Sequence, residues 1–232
     1  AGQPVPECWT VAESEDNPDW MAAELVASHH DLVHHQHLLE ENAFEKRLPK
    51  LAWHGEDADV TVMFFHPLFE HMAKHVKVGL CGQGADELHA GYPRYGRLQQ
   101  HQRELTQRME ALPTPLKSAL LSTGLKKEDG WYREAHDPSI VTGDLETMLN
   151  FELEHGQLSN FQLRLVDRHS MAHSLEVRVP FLGKAHRKAS YNLPMDWKRM
   201  EGREEKAALR RAADLTRLPK EIVRRPKLPA GK

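Results

Sequence analysis

Apolar and polar positions alternate along the chain so as to give strands and helices in turn at first, and then helices alone. Cys8-Trp9-Thr10-Val11-Ala12 is strand-like, and Asn17-Pro18-Asp19 after it starts a helix. Asn caps, Pro fits the first helical position, and Asp meets the positive helix end. Met21/Leu25 and Trp20/Ala23/Ala27 give this helix, which runs to about Ser28, an apolar face. Strand, loop and helix make half of a βαβ unit. His35 to Leu39 fits a short strand and Glu40 to Trp53 an amphipathic helix. Val62, Phe65, Phe69 and Met72 then recur at helical spacing, with Pro67 in the first turn or at a kink. These aromatics are expected in the core. Val76 to Leu80 is a further short strand. From about Tyr92 onward the pattern predicts no strand, and helices run roughly over Gly96 to Ala111, Pro115 to Leu121, Asp144 to Glu154, Asn160 to His169, Lys184 to Leu193 and Glu204 to Asp214. The expected class is α/β with a parallel sheet, followed by a mostly α-helical C-terminal portion.

The 232 residues, 40% hydrophobic and 28% charged, suffice for one core. Lys and Arg total 31 against 34 Asp and Glu, so the net charge of −3 creates no global demand for nucleic acid, which is not an expected partner. Charge shifts toward the carboxyl end, where residues 203–232 hold ten Lys/Arg against four Asp/Glu, a solvated face or a place to hold phosphates. Two cysteines, Cys8 and Cys81, exclude a disulfide scaffold and a four-cysteine zinc site, and a reducing cytoplasm is the simplest compartment. No run approaches the roughly 20 apolar residues needed to span a bilayer, so no membrane is expected. Ala1 to Pro6 lacks the regions of a signal peptide, and the start without methionine suggests a processed product or a piece of something longer.

In the run from His29 to His37, helical geometry would align His30, His34 and His37, and a metal site is conceivable there. No cap or apolar periodicity supports a helix, so solvated imidazoles on a loop and strand are expected.

Cys81-Gly82-Gln83-Gly84-Ala85-Asp86-Glu87 leaves a strand and enters a helix-compatible segment, where open α/β sheets bind ligands. Two glycines permit close backbone approach, successive N–H groups can face an anion, and Asp86 and Glu87 can hold a hard cation beside it. A tight turn with a capping Asp86 explains the same residues equally well.

Val166 to Leu182, which contains Asp167-Arg168-His169-Ser170-Met171-Ala172 and Ser174-Leu175-Glu176-Val177-Arg178-Val179-Pro180-Phe181-Leu182, resembles the D-R-x-S-M-A-x-S-L-E-x-R-x-P-F-L segment of the asparagine synthetase family. Cys81 to Glu87 with Leu88, Gly91 and Tyr92 is similar to that family's S-G-E-G-A-D-E-L-x-x-G-Y. Lys206 to Arg210, Leu218-Pro219, Glu221-Ile222 and Arg225-Pro226-Lys227 resemble its C-terminal K-x-x-L-R…L-P-x-x-I…R-x-K, and His34-His35 falls on its H-H-E-V strand.

The resemblance implies the carboxy-terminal synthetase domain over residues 1–232, with an ATP-pyrophosphatase fold like that of the adenine nucleotide alpha hydrolases. It divides into an α/β nucleotide-binding part, about 1–92, and a mainly helical part, 93–232. It also implies a reaction in which ATP adenylates the carboxylate of aspartate, pyrophosphate leaves with magnesium, and ammonia or an amine attacks the acyl-adenylate. ATP and Mg2+ are the implied cofactors. Asp86 is implied to hold magnesium; Val11, Cys81, Gly82 and Gly84 to line the nucleotide; Lys206 and Lys227 to hold pyrophosphate. Lys227, Lys206 and Glu176 are the implied catalytic candidates, and Gln83, Glu87 and Arg178 the substrate candidates. Glu176 and Arg178 can instead pair with each other to hold the turn before Pro180, and Glu87 can cap a helix.

The family's S-G-G-x-D-S loop and its glutaminase domain do not occur in these residues. The resemblance therefore implies a fold incomplete at its N-terminus and inactive as an isolated chain, with ammonia drawn from a glutaminase domain or subunit and the loop supplied upstream or by a second chain. Gln83 replaces the acid of G-E-G and cannot act as a general base. His89, Ala90 and Gly183 also depart from the family pattern. These changes leave open another small carboxylate as substrate, a divergent amide- or β-lactam-forming relative, or a non-catalytic partner-binding remnant.

Overall fold

Local chemistry sets the first elements. β1 (Cys8–Ala12) is followed by α1 (Pro18–His29), whose cap is Asn17: its side-chain oxygen accepts from the amides of Asp19 at 2.8 Å and Trp20 at 3.3 Å. The order continues with β2 (His34–Leu38), α2 (Ala43–Gly55), α3 (Phe65–Met72), β3 (Val78–Leu80), α4 (Ala85–His89), a 3-10 turn (Pro93–Gly96), α5 (Leu98–Ala111) and α6 (Thr114–Leu121). After these come α7 (Leu145–Glu154), a π turn (Leu158–Gln162), α8 (Leu163–Met171), β4 (Glu176–Arg178), a 3-10 turn (Pro180–Leu182), α9 (Lys184–Tyr191), α10 (Met195–Lys198), α11 (Ala207–Ala213) and α12 (Lys220–Arg224). The structure is a computed structural model that describes residues 5–56, 64–121, 144–154, 156, 158–199 and 204–228. Val62 lies outside these residues.

The chain divides into two units. The first comprises residues 1–81, 165–178 and 210–232; the second comprises 82–164 and 179–209. In the first unit β1 pairs with β2 in parallel, Trp9 opposite His35 and Val11 opposite His37, which completes the βαβ unit around α1. β3 pairs with β4 in parallel, Gly79 opposite Val177. The predicted absence of strands after Tyr92 is thereby corrected. Burial of Leu175 in the core and donation from the Glu176 amide to the Lys77 carbonyl at 3.0 Å align β4 with β3. The core of this unit is Phe65, Phe69, Met72, Val166 and Leu175, with Trp9, Val76 and Val177 packed on it. Pro67 sits in the first turn of α3, where its missing N–H costs no helical bond.

Arg168 of the long signature spans two carboxyl-side groups at the end of α2: it donates to the Gly55 carbonyl at 2.8 Å and pairs with Glu56 at 2.9 Å. A cationic side chain there satisfies carbonyls the helix leaves over. The second unit has its own core of Ala90, Tyr95, Met148 and Leu149, with Tyr92, Leu98, Leu145 and Met195 against it. Asp144 begins α7 by accepting from the Thr147 amide at 2.8 Å.

Candidate functional site

In the second unit the glycine turn leads directly into α4, and the turn needs its glycines. Gly84 has φ +89, and a Cβ there would lie 2.4 Å from Leu182 Cδ2. Any other residue is both strained and obstructed. Five residues long, α4 cannot satisfy its own carboxyl end, and side chains from distant segments do so. Ser190 donates to the Leu88 carbonyl at 2.8 Å, the Lys206 amide to that of His89 at 3.1 Å, and Arg199 to those of Ala90 and Tyr92 at 3.2 Å each. Ala90 itself adopts φ 54 with no exposure.

This scaffold sets Lys206 against Asp86, Nζ to Oδ1 at 2.8 Å, with side chains 21% and 14% exposed. Lys206 has φ 56, a left-handed backbone unusual for a residue with a side chain, tied by its amide to His89. Gly91 makes the approach feasible: a Cβ on it would lie 2.0 Å from Asp86 Oδ1 and 2.3 Å from Lys206 Cε. Tyr92 beside it accepts from Gln162 at 2.8 Å, and the Arg94 guanidinium covers its ring at 4.1 Å while pairing with Glu152 at 2.8 Å.

Glu87 is 1% exposed. Burial, with the neighbouring Asp86 and Glu152 carboxylates adding to it, pushes its carboxyl up to about 7. Gln83 is half-buried in the turn, and Gly82 is exposed with open space where a Cβ would stand.

The first unit holds the other sequence candidates. Val11 lies in β1, and Cys81 follows β3, donating its amide to the Arg178 carbonyl at 2.9 Å. Glu176 and Arg178 pair with each other on β4 at 2.9 Å, both largely exposed. Lys227 is half-buried in the segment after α12. Arg210 anchors that segment by gripping the carbonyls of Val223 and, at 2.8 Å, Arg225, while Arg225 pairs with Asp19 of α1 at 2.7 Å.

The structure thus joins Asp86 with Lys206, residues 120 apart in the chain, and Glu176 with Arg178. It also brings forward residues that the sequence candidates did not include: Gly91 for clearance, Ser190 and Arg199 as caps, and Arg210 as an anchor. Gly91 and Arg210 carried a signal, since both stand inside the motifs; Ser190 and Arg199 carried none.

A family model described as Asparagine synthase matches residues 5–232. The chain belongs to the asparagine synthase family. It is 29% identical over 222 residues to the mouse asparagine synthetase [glutamine-hydrolyzing] and 28% identical over 222 residues to the bovine one, each match covering 92% of this chain and 32% of the relative. It is 26% identical over 231 residues to asparagine synthetase [glutamine-hydrolyzing] 1 of Bacillus subtilis (strain 168), a match covering 80% of this chain and 35% of the relative. The chain spans about a third of the length of these curated relatives. Among the described residues no helix is long and apolar enough to cross a membrane.

The donor set at α4 is compatible with the two groups that ATP-dependent members of such a family bring together. Asp86 offers one hard carboxylate, as suits magnesium, which takes one or two carboxylates and keeps phosphate and water for the rest of its shell. Lys206 beside it offers an ammonium to a phosphate oxygen.

Proposed function

We propose that this chain is the synthetase part of an ATP-dependent amide-forming ligase, built on an ATP-pyrophosphatase fold like that of the adenine nucleotide alpha hydrolases. The observation that supports this most is the Asp86–Lys206 pair, a carboxylate and an ammonium held together by a glycine motif at the head of a helix. The parallel βαβ arrangement around α1 is in keeping with that fold.

In this reading a substrate carboxylate oxygen attacks the α-phosphorus of ATP, the bond to the bridging oxygen breaks, and pyrophosphate leaves. Ammonia or an amine then attacks the activated carbonyl and AMP departs. Asp86 holds Mg2+, which when bound would neutralise phosphate charge. Lys206 meets a phosphate oxygen, and its left-handed backbone and anchored amide keep it from swinging away. Lys227 takes its pyrophosphate role from the C-terminal motif alone, and Val11, Cys81, Gly82 and Gly84 their nucleotide roles from the family resemblance. Glu87 carries a proton up to near neutrality, so a substrate role for it is that of a hydrogen-bond donor. Fixed charges of this kind are worth on the order of a hundredfold in rate each.

A second reading concerns the carboxylate. Gln83 stands where relatives of this pattern carry an acid, which favours a substrate other than aspartate. Pyrophosphate release by the complete gene product with ATP, Mg2+, ammonia and a panel of carboxylates tests both readings. Release is expected, and Asp86→Asn and Lys206→Ala each lower its rate about a hundredfold while circular dichroism stays native. Full activity in Asp86→Asn overturns the site; release with another carboxylate and none with aspartate selects the second reading.

A further inference from the structure

A cluster of imidazoles in the first unit contains none of the residues assigned above. The trio of His30, His34 and His37 that a helix would align does not form, because His34–Leu38 is a strand, as expected for part of this run, and sends positions 34 and 37 to opposite faces. The strand instead puts His35 and His37 on one face, and α3 meets that face with its carboxyl end. The helix ends at Met72 but the chain turns once more, the amides of His75 and Val76 both donating to the Met72 carbonyl at 2.9 Å, so His75 follows His71 by one turn.

One ligand nitrogen each from His35, His71 and His75 lies within 4.8 Å of the other two. Around a tetrahedral ion with metal–nitrogen bonds of about 2.05 Å, ligand nitrogens are about 3.4 Å apart. The rings are already held in place. Trp9 stacks on His35 with centroids 4.9 Å apart and planes 9° apart, and His37 stacks on His71 at 5.3 Å and 19°. Glu7 places a carboxylate oxygen 2.7 Å from His35 Nε2, the carboxylate–imidazole contact that commonly orients a metal-bound histidine.

We propose that His35, His71 and His75 form a binding site for a zinc-class divalent cation, with Glu7 orienting the His35 ring. An all-imidazole set favours zinc, cobalt, nickel or copper over magnesium or calcium, which seek oxygen. His75 is exposed and His35 and His71 are half-buried, so the ion has an entry path from solvent and an open fourth position.

The test uses the untagged chain, freed of metal and titrated with Zn2+ by calorimetry and with Co2+ by visible absorption. One ion per chain with a nitrogen-rich Co2+ spectrum is expected. His75→Asn and the His71→Asn/His75→Asn pair abolish saturable binding, Glu7→Gln weakens it about tenfold, and His30→Asn leaves it unchanged. Absence of saturable Zn2+ binding by the wild-type chain, or undiminished affinity in His71→Asn/His75→Asn, overturns the proposal. Should the double variant fail to fold, Co2+ broadening of histidine ring signals in the wild-type chain decides. Broadening confined to His35, His71, His75 and their stacked neighbours supports the site; broadening centred on His66, His169 and His173 overturns it.

Discussion

The α4 region of the second unit and the histidine-rich region of the first handle buried charge in opposite ways. Around α4 the charges are kept and paired: Asp86 with Lys206, Glu152 with Arg94. Glu87 is held toward its neutral, protonated form, and burial, then the neighbouring His186, Lys198 and Lys206, lowers His89 to about 4 and keeps its ring neutral. In the first unit His66 and His169 are nearly inaccessible, 1% and 3% exposed, and their rings lie near one another and near His173. Burial first, and then the neighbouring His173, His169 and Arg47, lowers His66 to about 4. The α4 region keeps its ions because they have counter-ions; the histidine region keeps its buried imidazoles neutral beside the paired Arg47 and Glu70. Low dielectric makes unpaired charge costly, and these are the two remedies open to a fold.

The largest expected effect is the loss of the pairing itself. Gly91→Ala forces a methyl to within 2.0 Å of Asp86 Oδ1, so the ion pair must separate inside the fold. A destabilisation of about 3 kcal/mol or more, read from urea unfolding, is expected. A stability within error of wild type would show that the pair does not depend on this clearance.

The next effect depends on pH. Glu87 has a folded value of about 7 against 4.5 when unfolded. Its contribution is fully present below pH 4.5 and is lost as the pH rises through 7. Glu87→Gln is therefore expected to be more stable than wild type by up to about 3 kcal/mol at pH 8, with no gain at pH 4. A pH-independent difference would place the cause in packing.

His66 gives the mirror image. Its value falls from 6.5 to about 4, so its contribution is present above pH 6.5 and is lost as the pH falls through 4. In His66→Gln the decline of stability between pH 6.5 and 4 becomes shallower by about 2 kcal/mol. An unchanged acid limb would assign that decline to other groups.

The smallest effect falls on the exposed pair. Glu176→Gln leaves the unfolding midpoint unchanged, because solvent screens a salt bridge whose two side chains are 59% and 63% exposed. A large drop in pyrophosphate release with that midpoint intact would make Glu176 a catalytic residue and remove it from the structural role.

Much of the first unit was legible because its signals are local. Asn17, Pro18 and Asp19 state the start of α1 within three residues, and the alternation at Cys8–Ala12 needs no partner to be read. Strand β4 was not legible: Glu176-Val177-Arg178 is short and charged at both ends, and its pairing depends on β3, almost a hundred residues earlier. The start of α5 was placed too early because Pro93 first sets a 3-10 turn, and the helix expected at Asn160 is preceded by a π turn. At the site, Asp86 and Lys206 could be named from motifs. What positions them could not, because Ser190 and Arg199 act on carbonyls across a hundred residues of chain through contacts that no periodicity encodes. The histidines show the same limit. Their number was visible, but which of them converge depended on strand parity and on one extra turn after α3.

The contact between Asp86 and Lys206 has a thermodynamic corollary. Each helps to neutralise the other, so a lone anion that draws off the ammonium takes one positive charge from the carboxylate, and a lone dication that takes the carboxylate takes one negative charge from the ammonium. Two ligands of opposite sign arriving together restore both. Polyphosphate and divalent ion should consequently strengthen each other's affinity, and by reciprocity to the same degree.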